Sequence, residues 1–181
     1  LNGSWQNRGR DHPPHLDIGY NLERINHPSY GGEIMSYEIR RATAADKPEW
    51  LRMRQGLWPE APIEYLDFDM DDLLADPNYA VFVASHADGK LIAFIEAGLR
   101  NHVEGCETSP VGYIEAWYVD PHVRGQKLGR EMVRTAEGWA REKGMSEMAS
   151  DTWLDNEVSI QAHLKMGYWE AERLVHFVKR L

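Results

Sequence analysis

The chain has 181 residues, enough for one domain with a substantial core and too few for two comfortable ones. Lys and Arg number 20 against 29 Asp and Glu, a formal charge of −9 that argues against a nucleic-acid partner and suits a cationic one. Hydrophobic residues at 43% and charged ones at 27% are globular proportions, no apolar run reaches the ~18 residues of a membrane span, and the single Cys106 excludes an intrachain disulfide. Those limits describe a soluble, cytoplasmic domain with no membrane partner.

Residues 1–34 carry Gly3, Gly9, Pro13, Pro14, Gly19, Pro28, Gly31 and Gly32 and no sustained apolar period. No positive segment followed by an apolar one is present, so the stretch does not read as a signal peptide. It is taken as an N-terminal extension, dispensable for chemistry, with the catalytic unit at 35–181. His12, His15 and His27 are too irregularly spaced for a metal site, and none is expected.

From Met35 the pattern is definite. Tyr37 to Arg41 reads as a strand, and Thr43 or Asp46 can cap a helix that tolerates Pro48 only in its first turn. Trp50, Met53 and Leu57 mark one face of that helix, and Pro59 and Pro62 stop it. A short helix follows around Asp71 to Leu74. Tyr79 to His86 and Leu91 to Arg100 are strands flanking the turn Ala87-Asp88-Gly89-Lys90. Val111 to Val119 is another strand. Leu128, Met132, Val133, Ala136 and Ala140 form a helical stripe that ends before Gly144. A strand over Glu147 to Ser150, a helix from Asn156 to Met166 and a closing strand from Leu174 to Val178 complete the order β-α-α-β-β-β-α-β-α-β. That order indicates an α/β fold, a mixed and mostly antiparallel sheet with helices on its faces.

Chemistry concentrates at Asp120-Pro121-His122-Val123-Arg124-Gly125-Gln126-Lys127-Leu128-Gly129, directly after a strand and opening a helix. Backbone N–H groups at such a helix start form an anion site. Arg124, Lys127, Arg130 and Arg134 add four cations against Glu131, so a phosphate-bearing cofactor is the natural guest; a solvated basic helix start is the plain alternative. Neither a nucleotide P-loop nor a dinucleotide glycine pattern is met.

Order and motif together resemble the GNAT superfamily of acetyl-CoA-dependent N-acetyltransferases, from Tyr37 to the C-terminus. Its pyrophosphate loop reads Arg/Gln-x-x-Gly-x-Gly/Ala; Arg124 and Gly129 match the outer positions and Lys127 replaces the middle glycine. Asn156, Ser159, His163, Gly167 and Tyr168 are similar to a second family motif, with His163 where most members carry the tyrosine that protonates the departing thiolate. Leu57-Trp58-Pro59, the segment Gly105 to Pro110, Ile114-Glu115, Glu147 to Thr152 and Glu172-Arg173 resemble the aminoglycoside 6′-N-acetyltransferases, among which such a histidine is not foreign.

The acids agree with that resemblance. Glu60, Glu64, Asp67, Asp69, Asp71, Asp72 and Asp76 lie in a stretch with no Lys or Arg, either a solvated face or recognition chemistry for a polycation. Glu115 stands on a strand among Ile114, Ala116 and Val119, where a carboxylate suits a general base or else simply faces outward. Asp151 is a substrate ligand or a turn residue, Trp58 a sugar-ring wall or core, and His102 carries little beyond its place in a loop. Cys106 has no neighbouring base and is read as packing.

The resemblance implies direct acetyl transfer from acetyl-CoA to the 6′-amine of an aminoglycoside. Glu115 would be the base, a backbone N–H at Tyr118 or Val119 would hold the oxyanion, and His163 or solvent would protonate the thiolate. Arg124, Gly125, Gln126, Lys127, Leu128, Gly129 and Arg130 would hold the pyrophosphate, with Asn156 also on the cofactor. Trp58, His102, Asp151 and Glu172 would shape the amine site, Glu172 near the boundary of a homodimer. Two alternatives stay open: an acetyltransferase for another amine, such as a polyamine or a protein N-terminus, and a non-catalytic CoA-binding protein.

Overall fold

The computed structural model describes residues 25–28, 34–175 and 177–180. Six strands form one sheet in chain order: β1 (Ile25–Pro28), β2 (Ile34–Arg41), β3 (Tyr79–His86), β4 (Leu91–Arg100), β5 (Val111–Val119) and β6 (Met148–Ser150). Neighbours are antiparallel from β1 to β5, and β6 runs parallel to β5. Helices α1 (Lys47–Leu57), α2 (Ile63–Asp67) and α3 (Met70–Ala75) precede β3; α4 (Leu128–Glu142) and α5 (Glu157–Met166) flank β6. The mixed, mostly antiparallel α/β sheet expected from the sequence is the one observed.

β4 is the middle of the structure. Its residues 91–98 are all buried, because both faces of the sheet are covered. On one face Leu128, Met132, Val133, Ala136 and Ala140 of α4 pack onto Ile92, Ile95, Ala97 and Ile114. On the other, Trp50 and Met53 of α1 and Met70 of α3 meet Val83, Phe94 and Tyr118. The start of α1 is fixed by a capping box that closes over the 3-10 turn Ala44–Asp46: Asp46 accepts the Thr43 backbone N–H at 2.8 Å and its hydroxyl at 2.9 Å.

Three elements depart from the reading of the sequence, the first being α2, an added short helix ahead of the one expected around Asp71 to Leu74. Ile25–Pro28, within the expected extension, pairs with β2, while residues 1–24 and 29–33, with His12 and His15, lie outside the described residues. The expected strand Leu174 to Val178 is not a strand: among the described residues 168–180 there is no helix and no ladder. Val175, Phe177 and Val178 are 73%, 91% and 94% exposed. The alternating β-formers are present, but a strand needs a neighbour to take its N–H and C=O groups, and the short β6 pairs with β5 alone among the described residues.

Candidate active site

The site is built on β5. Its pairing with β6 covers only Gly112 to Ile114, so along residues 115–119 the β6-side edge has no strand partner among the described residues. β6 ends there, at Ser150, and leaves that edge of β5 open. On the opposite edge the β4 register slips: Ala97 faces Ile114 and Glu96 faces Ala116, leaving Glu115 without an opposite residue. Such a bulge re-aims a side chain, and it turns Glu115 to the α1 face.

There Glu115 borders a cavity of about 380 Å³ with Arg54 of α1, Trp58 just after that helix, Tyr65 and Leu66 of α2, Ala61, Asp69 and Glu96. Three acids stand against one cation, and that cation is engaged. Arg54 donates to Glu96 at 2.6 and 2.9 Å and to Asp69 at 2.6 Å, and the Trp50 indole N–H adds a 2.7 Å bond to Glu96. Burial pushes the Glu96 carboxyl above its ordinary range, while the guanidinium and indole hydrogen bonds pull the other way. The buried pair thus fixes the cavity floor, and Asp69 and Glu115 remain on its walls.

Arg100, at the end of β4, donates to both oxygens of Glu115, from Nε at 3.0 Å and from Nη2. Its guanidinium lies over the Tyr113 ring at 3.4 Å from the centroid, and the Tyr113 hydroxyl donates to Asp151 at 2.6 Å. Burial and the Asp151 contact together hold that phenol protonated well above its usual range. Glu115 and Asp151, far apart in sequence, are joined through Arg100 and Tyr113.

The loop before α4 opens at the other end of β5. Asp120 is 4% exposed and is tied to Arg52 at 3.0 Å, which also donates to the Leu91 carbonyl at 3.0 Å. Gly125 and Lys127 adopt φ values of +80° and +70°, and Lys127 is the one non-glycine with positive φ among the described residues. The lysine therefore takes the left-handed conformation that glycine adopts without cost. Gly129 has a steric reason: a Cβ there would come within 2.7 Å of the Trp117 ring. Arg124 donates from Nε to the Val119 carbonyl at 2.8 Å, with its guanidinium 5.7 Å from the Tyr118 ring.

On the α5 side, Asn156 caps the helix by accepting the Ser159 N–H at 3.2 Å. His163 stands edge-on between Trp117, at 5.6 Å, and Tyr168, at 5.4 Å. Its Nδ1 lies 2.8 Å from the Ser159 carbonyl, which assigns the proton to Nδ1, and its buried Nε2 has no partner among the described residues.

Residues 50–168 match the sequence profile of the Acetyltransferase (GNAT) family. An aminoglycoside N(6')-acetyltransferase type 1 of Stenotrophomonas maltophilia is 42% identical over 142 residues, 77% of this chain and 90% of the relative. The chain belongs to the acetyltransferase (GNAT) family. Two solved structures of AAC(6')-Iy are similar to this GNAT chain. The complex with the bisubstrate analogue CoA-S-monomethyl-acetylneamine has a TM-score of 0.75 and 33% identity, covering 80% of this chain and 99% of that one. The complex with CoA has a TM-score of 0.77 and 32% identity, covering 81% and 97%.

In this GNAT chain the residues singled out from sequence fall into three groups. Trp58 and Glu115 line the cavity and Asp151 joins it through Tyr113. Tyr118 and Val119 lie on the edge of β5, Arg124 to Arg130 form the loop and start of α4, Asn156 caps α5, and His163 of α5 stands against Trp117 of β5. His102 and Glu172 are exposed and do not line the cavity, His102 lying 4.0 Å from Glu104. Of the acidic run, Asp69 enters the cavity, whereas Asp71 and Asp67 face Lys47 at 2.8 and 4.0 Å. Missed were Arg54, Glu96, Arg100 and Arg52. Glu96 had a signal: a lone acid inside the apolar strand Leu91 to Leu99 demands a buried cation. No metal-binding cluster of His, Cys, Asp or Glu occurs among the described residues, and no described helix is long and apolar enough to cross a membrane.

Proposed function

We propose that the chain transfers acetyl from acetyl-CoA to the 6′-amine of an aminoglycoside, an antibiotic-inactivating reaction. One observation carries this reading: an acid-lined cavity opens onto the bulged Glu115, beside the open edge of the same strand. The residues around that edge suit acetyl-CoA. Residues 125–130 present helix-start amides and cations to its pyrophosphate, and Gly129 against Trp117 lets the helix approach the strand closely. Bound there, acetyl-CoA supplies a thioester carbonyl at that open edge.

An aminoglycoside is a polyamine, positively charged at neutral pH. Asp69, Glu115 and Asp151 answer its ammonium groups, and Trp58 and Tyr65 offer flat walls to its rings. An ammonium is no nucleophile. Arg100 takes one lone pair from each oxygen of Glu115, so the other lone pairs can accept the substrate's proton, directly or through water. A backbone N–H of Tyr118 or Val119 on the β5 edge holds the acetyl oxygen as it gains charge. The C–S bond then breaks, and the thiolate takes its proton from solvent or from Nε2 of His163 in its imidazolium form.

The exposed Leu174, Val175, Phe177 and Val178, with Trp169 beside Glu172, support a homodimer in which a second copy covers this segment. A cytoplasmic location follows from the need for acetyl-CoA.

The decisive experiment is release of free CoA thiol over a panel of amines. Kanamycin and tobramycin should turn over, their 6′-hydroxyl analogues should bind without turnover, and a monoamine should do neither. Turnover of a polyamine or an N-terminal peptide above the drugs would replace the acceptor class. Release with no amine at all would leave only cofactor binding.

A further inference from the structure

Arg54, the single cation among the residues that line the acceptor cavity, is 4% exposed and too deep to meet a ligand as a free charge. Its guanidinium sends hydrogen bonds in two directions. Nε and Nη2 form a fork on the buried Glu96 of β4, at 2.6 and 2.9 Å. Nη1 turns the other way and donates to the Leu66 carbonyl at 2.7 Å and to Asp69 Oδ1 at 2.6 Å. The same cation stands over the Trp58 ring, 6.0 Å from its centroid. One side chain of α1 thus ties the sheet to α2, to the residue that opens α3 and to the wall at Trp58.

Asp69 does not do what its place in the chain invites. It is the N-cap of α3, where an aspartate ordinarily accepts an N–H of the first helical turn, yet its side chain makes no such bond. Oδ1 is turned to Arg54 instead, the side chain is 48% exposed, and Oδ2 accepts no hydrogen bond from the described residues. Its neighbours in the acidic run are held elsewhere: Asp71 and Asp67 face Lys47, and Asp76 accepts the Asn78 N–H. Glu96 accepts N–H groups from Arg54 and Trp50 at both oxygens, the arrangement of an ionised carboxylate, and so balances the Arg54 charge. The charge of Asp69 is left for a ligand. A carboxylate fixed at one oxygen and open at the other suits an ammonium, and a group held in advance loses less freedom when the ligand arrives.

We propose that Arg54 is a positioning residue for the acceptor: its fork draws Asp69 off the α3 cap and holds it, with α2, on the cavity wall, where Asp69 receives an ammonium of the polycation other than the one acetylated beside Glu115. The proposal rests on the reading of this cavity as the acceptor site. Arg54 touches no reacting atom, so it acts on acceptor binding and not on the chemical step.

Steady-state kinetics with kanamycin on three variants tests it. Arg54→Lys keeps a positive charge beside Glu96 but has no fork to span Glu96 and Asp69. Asp69→Asn keeps an oxygen for Arg54 and loses the charge. Each should raise the Michaelis constant for kanamycin about tenfold, the scale of one charge-assisted hydrogen bond, with kcat and the constant for acetyl-CoA within about twofold of the parent. Because both act through one carboxylate, the double variant should be no worse than either alone. Effects that multiply, or a fall in kcat, overturn the proposal, and so does an Asp69→Asn chain that matches the parent. That last comparison decides the matter even where Arg54→Lys does not fold. If the parent releases no CoA with kanamycin, the proposed reaction falls, and calorimetry of kanamycin with the parent and Asp69→Asn decides the positioning role: weaker binding by the variant upholds it, and equal binding or none overturns it.

Discussion

At Glu115 the carboxylate is held on one side by Arg100 and opens on the other to the cavity, so its charge can be removed with little change in shape. Glu115→Gln should lower turnover by roughly 10²- to 10⁴-fold, the usual cost of losing a general base, while calorimetry finds CoA binding nearly unchanged. A variant with near-normal turnover would make Glu115 structural. Lys127 offers a second test on a single residue. Its φ of +70° is unfavourable for a residue with a Cβ by about 1–2 kcal/mol. Lys127→Gly trades that strain against the extra entropy of an unfolded glycine, and a net gain near 1 kcal/mol corresponds to a melting temperature about 2–4 °C higher. An unchanged or lower melting temperature would show that the lysine side chain stabilises the loop in another way. The left-handed backbone also explains why this position is glycine in the pattern that the sequence resembles: the conformation is kept and the residue is not.

Among the elements, the legible ones were those whose partners are close in sequence or whose pattern states its own burial. The turn at Asp88-Gly89 joins β3 to β4 as read, and the stripe on α4 faces the sheet as its spacing requires. The bulge at Glu115 was not legible, because register is a relation between two strands and neither sequence states it alone. The same limit hid Arg100, whose meaning depends on its side chain reaching Tyr113 and Glu115 of the neighbouring strand. It also misplaced Leu174 to Val178, where local alternation promised a strand and no neighbour among the described residues supplies one. Where α1 begins, the capping acid gives a pH test. Hydrogen bonds from Arg40 at 2.8 Å, and then from Thr43, hold the Asp46 carboxyl down at about 2 against an ordinary 3.8. A depressed folded value stabilises fully above the unfolded one and is lost as protons bind. Asp46 therefore contributes about 2 kcal/mol above pH ~4, fading as the pH drops toward 2. Denaturant melts of the parent and Asp46→Asn should differ by that amount at pH 6 and converge near pH 2; a constant difference would assign the effect to shape.

Over the whole molecule, charge is segregated: acids gather around the cavity under α1 and α2, and cations at the start of α4 and the end of α5. Fields of this kind act through water and are screened within ~8–10 Å at physiological salt. The Michaelis constant for kanamycin should therefore rise with sodium chloride. Asp151→Asn, which keeps an acceptor for the Tyr113 hydroxyl but loses the charge, should raise it further and leave the constant for acetyl-CoA nearly unchanged. Kinetics indifferent to salt and to this substitution would remove polycation recognition from the account. The sequence already held both poles as runs of like charge, but the fold decided which acids count, drawing in Asp69 and leaving Asp67 and Asp71 to Lys47.

The early end of β6 sets one further property. The open edge and the bulge occupy residues 115–119 of a single strand, about 13 Å of chain. Donor and acceptor can sit there side by side, so no side chain has to carry the acetyl group from one visit to the next. Initial rates measured at several fixed acetyl-CoA concentrations should then give intersecting double-reciprocal lines. Parallel lines would mean that the first substrate departs before the second arrives, with the acetyl group left on the protein in between.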